Sequence, residues 1–599
     1  MCGIIGYVGT ECARDKLING LKSLEYRGYD SCGIATKEKI TKTQGRVSKL
    51  EELLKNDNDT STMGIGHTRW ATHGEANEIN AHPHKVGKIT LVHNGIIENY
   101  EEIKSELQSQ GVKFVSETDT EVACALINHY YEGEGDVIKA ISKARQRFEG
   151  SFALAIMVEG ESKIYLVRHK SPLIIGKSDN GYYLASDLSA LCGYAKEYYR
   201  LKENEEAMLS QEGAFLFNSE NPLPVWEIYN FSEENDGKNG YSHFMLKEIY
   251  QQGEAICKTI KSRIKNSLPD FENDKIPSGY FKDFDSVQII GCGSAMHAGL
   301  LGKHMIEKYG KIPVSVYVAS EYRYNPPIVS GNTLCIFISQ SGETADTYAS
   351  LEYARSKGYK CLAVVNKKFT VIANEADKVI YTEAGNEIAV ATTKGYTTQV
   401  AVLSLVALRI AYEKSATDET TIKRVTHSLE NDVVDTINAV LEKREEIRSL
   451  AVIISTQNQL FYIGRGYDYF ICKEGSLKLK EISYINSSDY PAGELKHGTI
   501  SLITNKTPVI AIANDIGLLI KTVSNLKETK ARGAFTVLVT SLDVNEEISD
   551  HVFKIDAKGQ LEAIFGSVIF IQLLAYEVAL LRGCDIDKPR NLAKSVTVE

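Results

Sequence analysis

The chain has 599 residues, 43% of them hydrophobic and 24% charged, with a formal net charge of -10 and a pI near 5.8. This is long enough for several globular domains, and its charge is the wrong sign for a polyanion-binding surface, which needs a concentrated basic stripe. The ordinary composition excludes disordered and fibrous classes, and no nucleic acid partner is expected.

The first element is "MCGIIGYVG", a cysteine followed by a run that reads as a buried strand. No basic region followed by an apolar one opens the chain, so no secretory leader is expected. The 11 cysteines are odd in number and lack CxxC pairs, which suits a reducing cytoplasm and supplies neither a metal site nor a disulfide framework. A thiol with a pKa of about 8.5 needs a base at neutral pH. If Met1 is removed, Cys2 gains an α-amino group with a pKa of about 7.7 to 8.0, so one residue holds nucleophile and base, and the proton transfer costs roughly 1 kcal/mol. A small buried hydrophobe is the alternative for Cys2.

Up to about residue 230, short β-type runs such as "KITLVHNG", "FALAIMV" and "KIYLVRH" predict a sheet-rich α+β half. "GHTRWATHG" places Arg69, able to clamp a carboxylate, beside Trp70, Thr72 and His73. "LVHNGIIEN" is read as a strand ending at Asn94 and Gly95, whose side-chain amide and backbone N–H suit an oxyanion. "SETDTE" offers Asp119 as an anchor for an ammonium group. Thiol, oxyanion donors and two clamps together describe a site for glutamine. Taken singly, Arg69 suits a surface pair, Asn94-Gly95 a hairpin turn and Asp119 a helix cap.

The polar stretch "NFSEENDGKNG" at 230 to 240 precedes the helical spacing of "HFMLKEIYQQ". The domains are therefore expected at 1–238, with a linker at 239–250. Beyond it, single apolar strands alternate with long helices, which implies parallel sheets covered on both faces. The pattern repeats: Gly291 matches Gly464, Gly358 matches Gly533 and Asp377 matches Asp550, which gives two copies of one βαβ-type domain, at 251–440 and 441–588, followed by a tail at 589–599. Neither copy carries a full dinucleotide fingerprint, so no nucleotide cofactor is expected. "VAVLSLVALRIAY" and "SVIFIQLLAYEVALLR" are broken by Arg409, Gln572 and Glu577 and read as core helices, with no membrane span.

"TLCIFISQSGETADT" reads as strand, hydroxyl-rich loop and helix, so Ser339, Ser341 and Thr344 surround the free N–H groups of a helix start and suit a phosphate. Lys478 and Glu481 lie three apart on one helical face, where a plain surface pair is the alternative. Lys594 near the end is either a solvated charge or, if desolvated, an amine able to form a Schiff base.

"MCGIIGY", "LEYRGYDS", "GHTRWATHG", "HPH", "VHNGIIEN" and "ETDTE" resemble the N-terminal-nucleophile glutaminases. "SQSGETADT", "LKLKEISYI", "GELKHG" and "PRNLAKSVTVE" extend the resemblance over the whole chain to the isomerising glutamine:fructose-6-phosphate aminotransferases. It implies a four-layer α+β glutaminase domain followed by two doubly wound, flavodoxin-like sugar isomerase domains. It also implies conversion of glutamine and fructose 6-phosphate to glutamate and glucosamine 6-phosphate, the first step of amino sugar biosynthesis, in a cytoplasmic homodimer or larger oligomer without metal or cofactor.

Residue by residue, the resemblance assigns the nucleophile to Cys2, oxyanion binding to Asn94 and Gly95, and glutamine binding to Arg69, Trp70, Thr72, His73 and Asp119, with Trp70 gating an internal path for ammonia. It assigns the sugar phosphate to Ser294, Ser339, Gln340, Ser341 and Thr344, with Val390 and Ala593 near the sugar. Glu481 is to move a proton between C1 and C2 with help from Lys478, His497 is to open the ring from a neighbouring subunit, and Lys594 is to form the Schiff base. One departure is visible: the family loop carries two hydroxyls after its GxG turn, where this chain has Ser294 and then Ala295. An amidotransferase with another acceptor and a catalytically silent sugar-phosphate sensor are the competing readings.

Overall fold

Strand Gly3–Gly9 is buried along its whole length. In this computed structural model, which describes residues 2–219, 221–228, 237–329 and 331–597, the strand lies between Met63–Arg69 and Gly181–Ala185 in an antiparallel sheet of eight. Its alternation explains why both faces are apolar: Ile4 and Val8 point to one cluster, Ile5 and Tyr7 to another. The first cluster fills the gap to a second antiparallel sheet of six strands, through Val92 and Ala153. Helix Ala13–Leu24 covers the outside of the first sheet, and Asp119–Glu134 with Val137–Arg147 covers the outside of the second. The result is the four-layer α+β arrangement.

Two local readings change. Strand Ile89–Ile97 does not end at Asn94 and Gly95 but continues to pair with Gly150–Val158 through Ile97↔Gly150. The pair is therefore no hairpin turn. Gly95 has φ +130, and a Cβ there would lie 1.9 Å from the Ser151 carbonyl oxygen, so only glycine lets the strand pass. Asp119 is the first residue of its helix but not its cap. Thr118 accepts from Glu121 N at 3.2 Å while Glu121 reaches back to the N–H groups of Val115 and Ser116, so Thr118 is the cap and Asp119 is left for other work.

Compact units divide near residue 233, and residues beyond Lys594 group with the first unit, so the expected tail 589–599 splits at that lysine. Residues 230 to 236 of the polar stretch lie outside the described residues. Within the expected linker 239–250, Phe244–Tyr250 is a helix whose first amides, of Phe244 and Met245, each donate to the Asp587 carboxylate at 2.9 Å. Met245, Leu246 and Ile249 are buried in the second unit's core, so this half of the segment is part of the domain that follows.

The second unit contains two parallel five-stranded sheets, each with strand order 2-1-3-4-5. Their first strands are Ser286–Gly291 and Gln459–Gly464, their fourth Lys360–Val365 and Phe535–Thr540, their fifth Lys378–Tyr381 and His551–Lys554. These are the repeats read from the sequence. Gly293 (φ 53, ψ -128) and Gly466 (φ 59, ψ -133) hold the same glycine-only conformation at the two helix starts. The boundary expected near 440 falls inside helix Val433–Glu442, and one apolar core joins both sheets. Helix Gln560–Leu581 is long and apolar enough to span a membrane, but 89% of its apolar window is buried inside the unit. Its polar residues are paired there: Gln572 accepts from Gln252 at 2.7 Å and Glu577 from Arg444 at 2.7 Å.

The two copies differ where the third strand meets its helix. Helices Ala345–Ser356 and Leu519–Lys530 correspond residue for residue, so Ser339, Ser341 and Thr344 stand opposite Ala513, Asp515 and Leu518. Ala295 corresponds to Asp468, whose buried carboxylate accepts from Asn514 N at 2.9 Å, Asn514 Nδ2 at 3.0 Å and Asp515 N at 3.3 Å. The second loop thus holds an acid of its own chain, whereas Ala295 can supply none to the first. Asp468→Ala is expected to leave these donors unpaired, to cost about 3 kcal/mol of stability, and to speed amide exchange at residues 513 to 519; unchanged exchange there would remove the assignment.

Candidate active sites

In the first unit, Cys2 Sγ accepts from Trp70 N at 3.3 Å and lies 3.6 Å from Trp70 O. Burial pushes its thiol pKa up, which Trp70 N and the nearby Arg69 only partly offset. Asn94 Nδ2 donates to the Cys2 carbonyl at 3.1 Å, which brings the expected amide donor to the expected nucleophile across 92 residues of sequence. Arg69, at the end of its strand, is 3% exposed and its guanidinium donates to the carbonyl oxygens of Glu75 at 3.1 Å and Gly74 at 3.3 Å and to that of His73. It is no surface ion pair. Asp119 accepts from Ile97 N at 3.0 Å and faces His93 Nδ1 at 3.7 Å. Thr72 is exposed and contacts His73, which packs edge-on to Tyr100; Trp70 packs edge-on to Tyr29.

Four histidines that the sequence reading left without a role, His67, His82, His84 and His93, are buried behind this site. The His67 and His82 ring centroids are 4.1 Å apart, and those of His82 and His84 are 5.0 Å apart. Burial, followed for His84 by the nearby charges of Lys42 and Arg69, holds the pKa of His67 and of His84 down at about 3, so both stay neutral.

In the second unit, helix Tyr467–Ser483 presents Glu474, Lys478 and Glu481 on one face. Lys478 is fully buried, 2.5 Å from Glu481 Oε2 and 3.5 Å from Glu474 Oε1, so the surface-pair reading fails. Glu474 also accepts from Ser294 Oγ at 2.8 Å and His297 Nδ1 at 2.8 Å. Burial alone would raise the pKa of Glu474, but Lys478, His297 and Ser294 outweigh it and hold it low. Burial wins at Glu481, whose pKa is raised despite Lys478. Two carboxyls on one helix are thereby separated, Glu474 a fixed anion and Glu481 the more basic of the two.

The phosphate-type loop is preformed. Ser339 Oγ accepts from Gly342 N at 3.0 Å and pairs with Thr344 Oγ1 at 2.9 Å, while Ser341 Oγ accepts from Glu343 N at 3.2 Å. Gln340 Nε2 is buried without a partner. The Ser294 hydroxyl donates to Glu474 at 2.8 Å. Val390 is 8% exposed and its N–H donates to Asp587 O at 3.0 Å. Ala593 is half-buried beside Lys594 in the chain, and His497 is exposed on a short 3-10 turn.

Lys594 Nζ, its side chain 4% exposed, lies 2.5 Å from Glu387 Oε2. It is not a solvated charge. Glu387 also accepts from Thr393 N at 2.8 Å, Gly395 N at 2.9 Å and Thr392 Oγ1 at 2.6 Å. Burial opposes its charge, but Lys594 and these donors prevail and bring its pKa to about 2. Glu248 accepts from Ile388 N at 2.5 Å and Ala389 N at 3.1 Å; burial, then Glu387, push its pKa up to about 8, so it holds a proton at neutral pH. Glu248, Glu387, Glu474 and His297 were missed from sequence. Only Glu474 had a signal, its i, i+4 spacing to Lys478.

For His67 and His84 the folded state binds fewer protons than the unfolded state between pH 6.5 and about 3, so stability from these rings is complete above pH 6.5 and is lost as pH falls. The first unit is expected to lose about 2 kcal/mol per ring by pH 5, measurable as a falling midpoint of denaturant unfolding followed by exchange in the strand 63 to 69; a flat profile from pH 7 to 5 contradicts it.

The glutamine amidotransferase domain family matches residues 67–193, and the SIS domain family matches residues 280–409 and again 453–582. Glutamine-fructose-6-phosphate aminotransferase (isomerizing) of Clostridium tetani is 44% identical, and that of Clostridium acetobutylicum 43% identical, each over 100% of both chains. The solved C-terminal domain of glucosamine-fructose-6-phosphate aminotransferase from Francisella tularensis covers 59% of this chain and 100% of its own, with 36% identity and a TM-score of 0.56. The chain belongs to the family of isomerizing glutamine-fructose-6-phosphate aminotransferases.

Proposed function

We propose that this protein converts L-glutamine and D-fructose 6-phosphate to L-glutamate and D-glucosamine 6-phosphate. The observation that carries this reading is one chain holding a cysteine against an amide donor in one unit and, in the other, a buried lysine between two carboxyls and a hydroxyl-rich helix start. Either arrangement alone fits many enzymes. Together they suit amide hydrolysis and 1,2-proton transfer on a phosphosugar.

In the first unit, Cys2 attacks the glutamine amide carbon, Asn94 Nδ2 and Gly95 N steady the oxyanion, ammonia leaves, and water releases glutamate from the thioester. Arg69 is within reach of a substrate carboxylate once it exchanges backbone carbonyls for it, and Asp119 offers an anion to the substrate ammonium. Trp70, Thr72 and His73 line the same end of the strand.

In the second unit, Ser339, Gln340, Ser341 and Thr344 hold the phosphate. The helix dipole supplies about 0.3 to 1 kcal/mol, so the hydroxyls and the buried Gln340 amide carry most of the affinity. Lys594 must leave Glu387 and lose a proton to attack C2, releasing water as the Schiff base forms; ammonia then displaces the lysine. Glu481 takes the C1 proton and returns it at C2, held in place by Lys478. His497 and a neighbouring copy for ring opening remain part of the proposal, as do a dimeric or larger assembly, the cytoplasm, and ammonia transfer past Trp70.

Cys2→Ala is expected to abolish glutamate release while ammonia-dependent synthesis persists; loss of both with the fold intact would merge the two sites into one. With Lys594→Arg, borohydride should trap no fructose 6-phosphate adduct although glutamine hydrolysis continues, and a trapped adduct would take the Schiff base away from Lys594. Intact-mass analysis alongside a glutaminase assay tests the amine: full hydrolysis by protein that keeps Met1 refutes it as the base.

A further inference from the structure

His67 sits on the strand Met63–Arg69 of one sheet of the first unit and reaches the strand Ile89–Ile97 of the other. It is 0% exposed, and its Nε2 lies 2.9 Å from the His93 carbonyl oxygen and 3.2 Å from Asn94 Oδ1. A carbonyl oxygen can only accept, so Nε2 carries the proton. With Nε2–H as donor, the atom of Asn94 that faces it must be the amide oxygen. The other end of the same amide faces the Cys2 carbonyl at 3.1 Å, again an acceptor, which requires NH₂ there. Both ends of the Asn94 side chain are thereby specified, and the donor is aimed at the nucleophile's residue.

We infer that His67 is the positioning residue of the glutaminase oxyanion site: its Nε2–H fixes the Asn94 amide so that Nδ2 points toward the carbon attacked by Cys2. This rests on the glutaminase reading above. His67 acts through Asn94, whose amide lies between its ring and the Cys2 carbonyl. It also joins the sheet that carries Cys2 to the sheet that carries Asn94 and Gly95, so one hydrogen-bonded ring sets the distance between nucleophile and oxyanion donors. An Asn94 amide free to turn would present its oxygen to a developing oxyanion for part of the time, which repels the charge it should hold.

The test uses the full-length protein and the difference between two amides. Glutamine places its side-chain N–H near the position of histidine Nε2, whereas asparagine reaches only to Nδ1. His67→Gln is expected to keep glutaminase kcat within about 10-fold, and His67→Asn to lose about 10²-fold in kcat with KM for glutamine changed less than about 3-fold, the size of one lost oxyanion donor. In both variants the rate of Cys2 alkylation by iodoacetamide and the ammonia-dependent synthesis should match the parent, which separates a misaimed amide from an unfolded unit.

Asn94→Ala should make the His67→Asn change nearly silent, because the two act through one group. Equal kcat for His67→Asn and the parent would overturn the inference, as would losses in His67→Asn and Asn94→Ala that simply add. So would a His67→Gln as poor as His67→Asn. A parent protein that releases no glutamate from glutamine would instead overturn the glutaminase reading.

Discussion

The second unit is organised around the carboxylate of Glu474, which is completely buried and still ionised because three donors from two repeats converge on it. Ser294 and His297 come from the helix that opens the first repeat, Lys478 from the helix that opens the second. A buried charge without such partners would cost several kcal/mol. Ser294, His297 and Lys478 thus tie the two domains together at this carboxylate, within the one apolar core that joins their sheets. The same anion sets the electrostatics of the site: with Glu474 and Glu481 on either side, Lys478 keeps its proton, and Glu481 is left with the raised basicity that burial gives it.

The first unit solves the opposite problem. Behind Cys2 and Asn94 it buries four rings, His67, His82, His84 and His93, whose desolvation keeps them uncharged. Neutral rings offer one donor and one acceptor each, and so can fix direction without adding charge near a thiol that must ionise. Arg69 is the cation within this group, and it is occupied by the carbonyl oxygens of Gly74 and Glu75. Those carbonyl oxygens tie the end of the strand Met63–Arg69 to the loop 73 to 75.

Comparison of the repeats shows one loop built from hydroxyls and the other held by a buried acid of its own chain. The strands, helix starts and glycine conformations are shared. The loop between third strand and helix differs at every position, SQSGET over 339–344 against ANDIGL over 513–518, and Ala295 stands opposite Asp468. The carboxylate of Asp468 satisfies the second loop from inside the protein, and Ala295 offers the first loop no such group.

Much was legible in the chain itself. Strand and helix periods, the repeat, the hydroxyl-rich loop and the residue types for two chemistries follow from local patterns, because each is written over a few neighbouring positions. Cys2 and Asn94 could be named for the same reason, whereas the roles of Lys478 and Lys594 came from the family resemblance. Only the tertiary structure decided that Asn94 and Gly95 lie within a strand, that the two repeats share a core, and that Glu387, Glu248 and Glu474 belong to the site. A carboxylate in an apolar run looks the same in sequence whether it meets solvent or a lysine more than 200 residues away, as Glu387 meets Lys594. Burial and partner identity are properties of packing, and packing is set by contacts that no local spacing encodes.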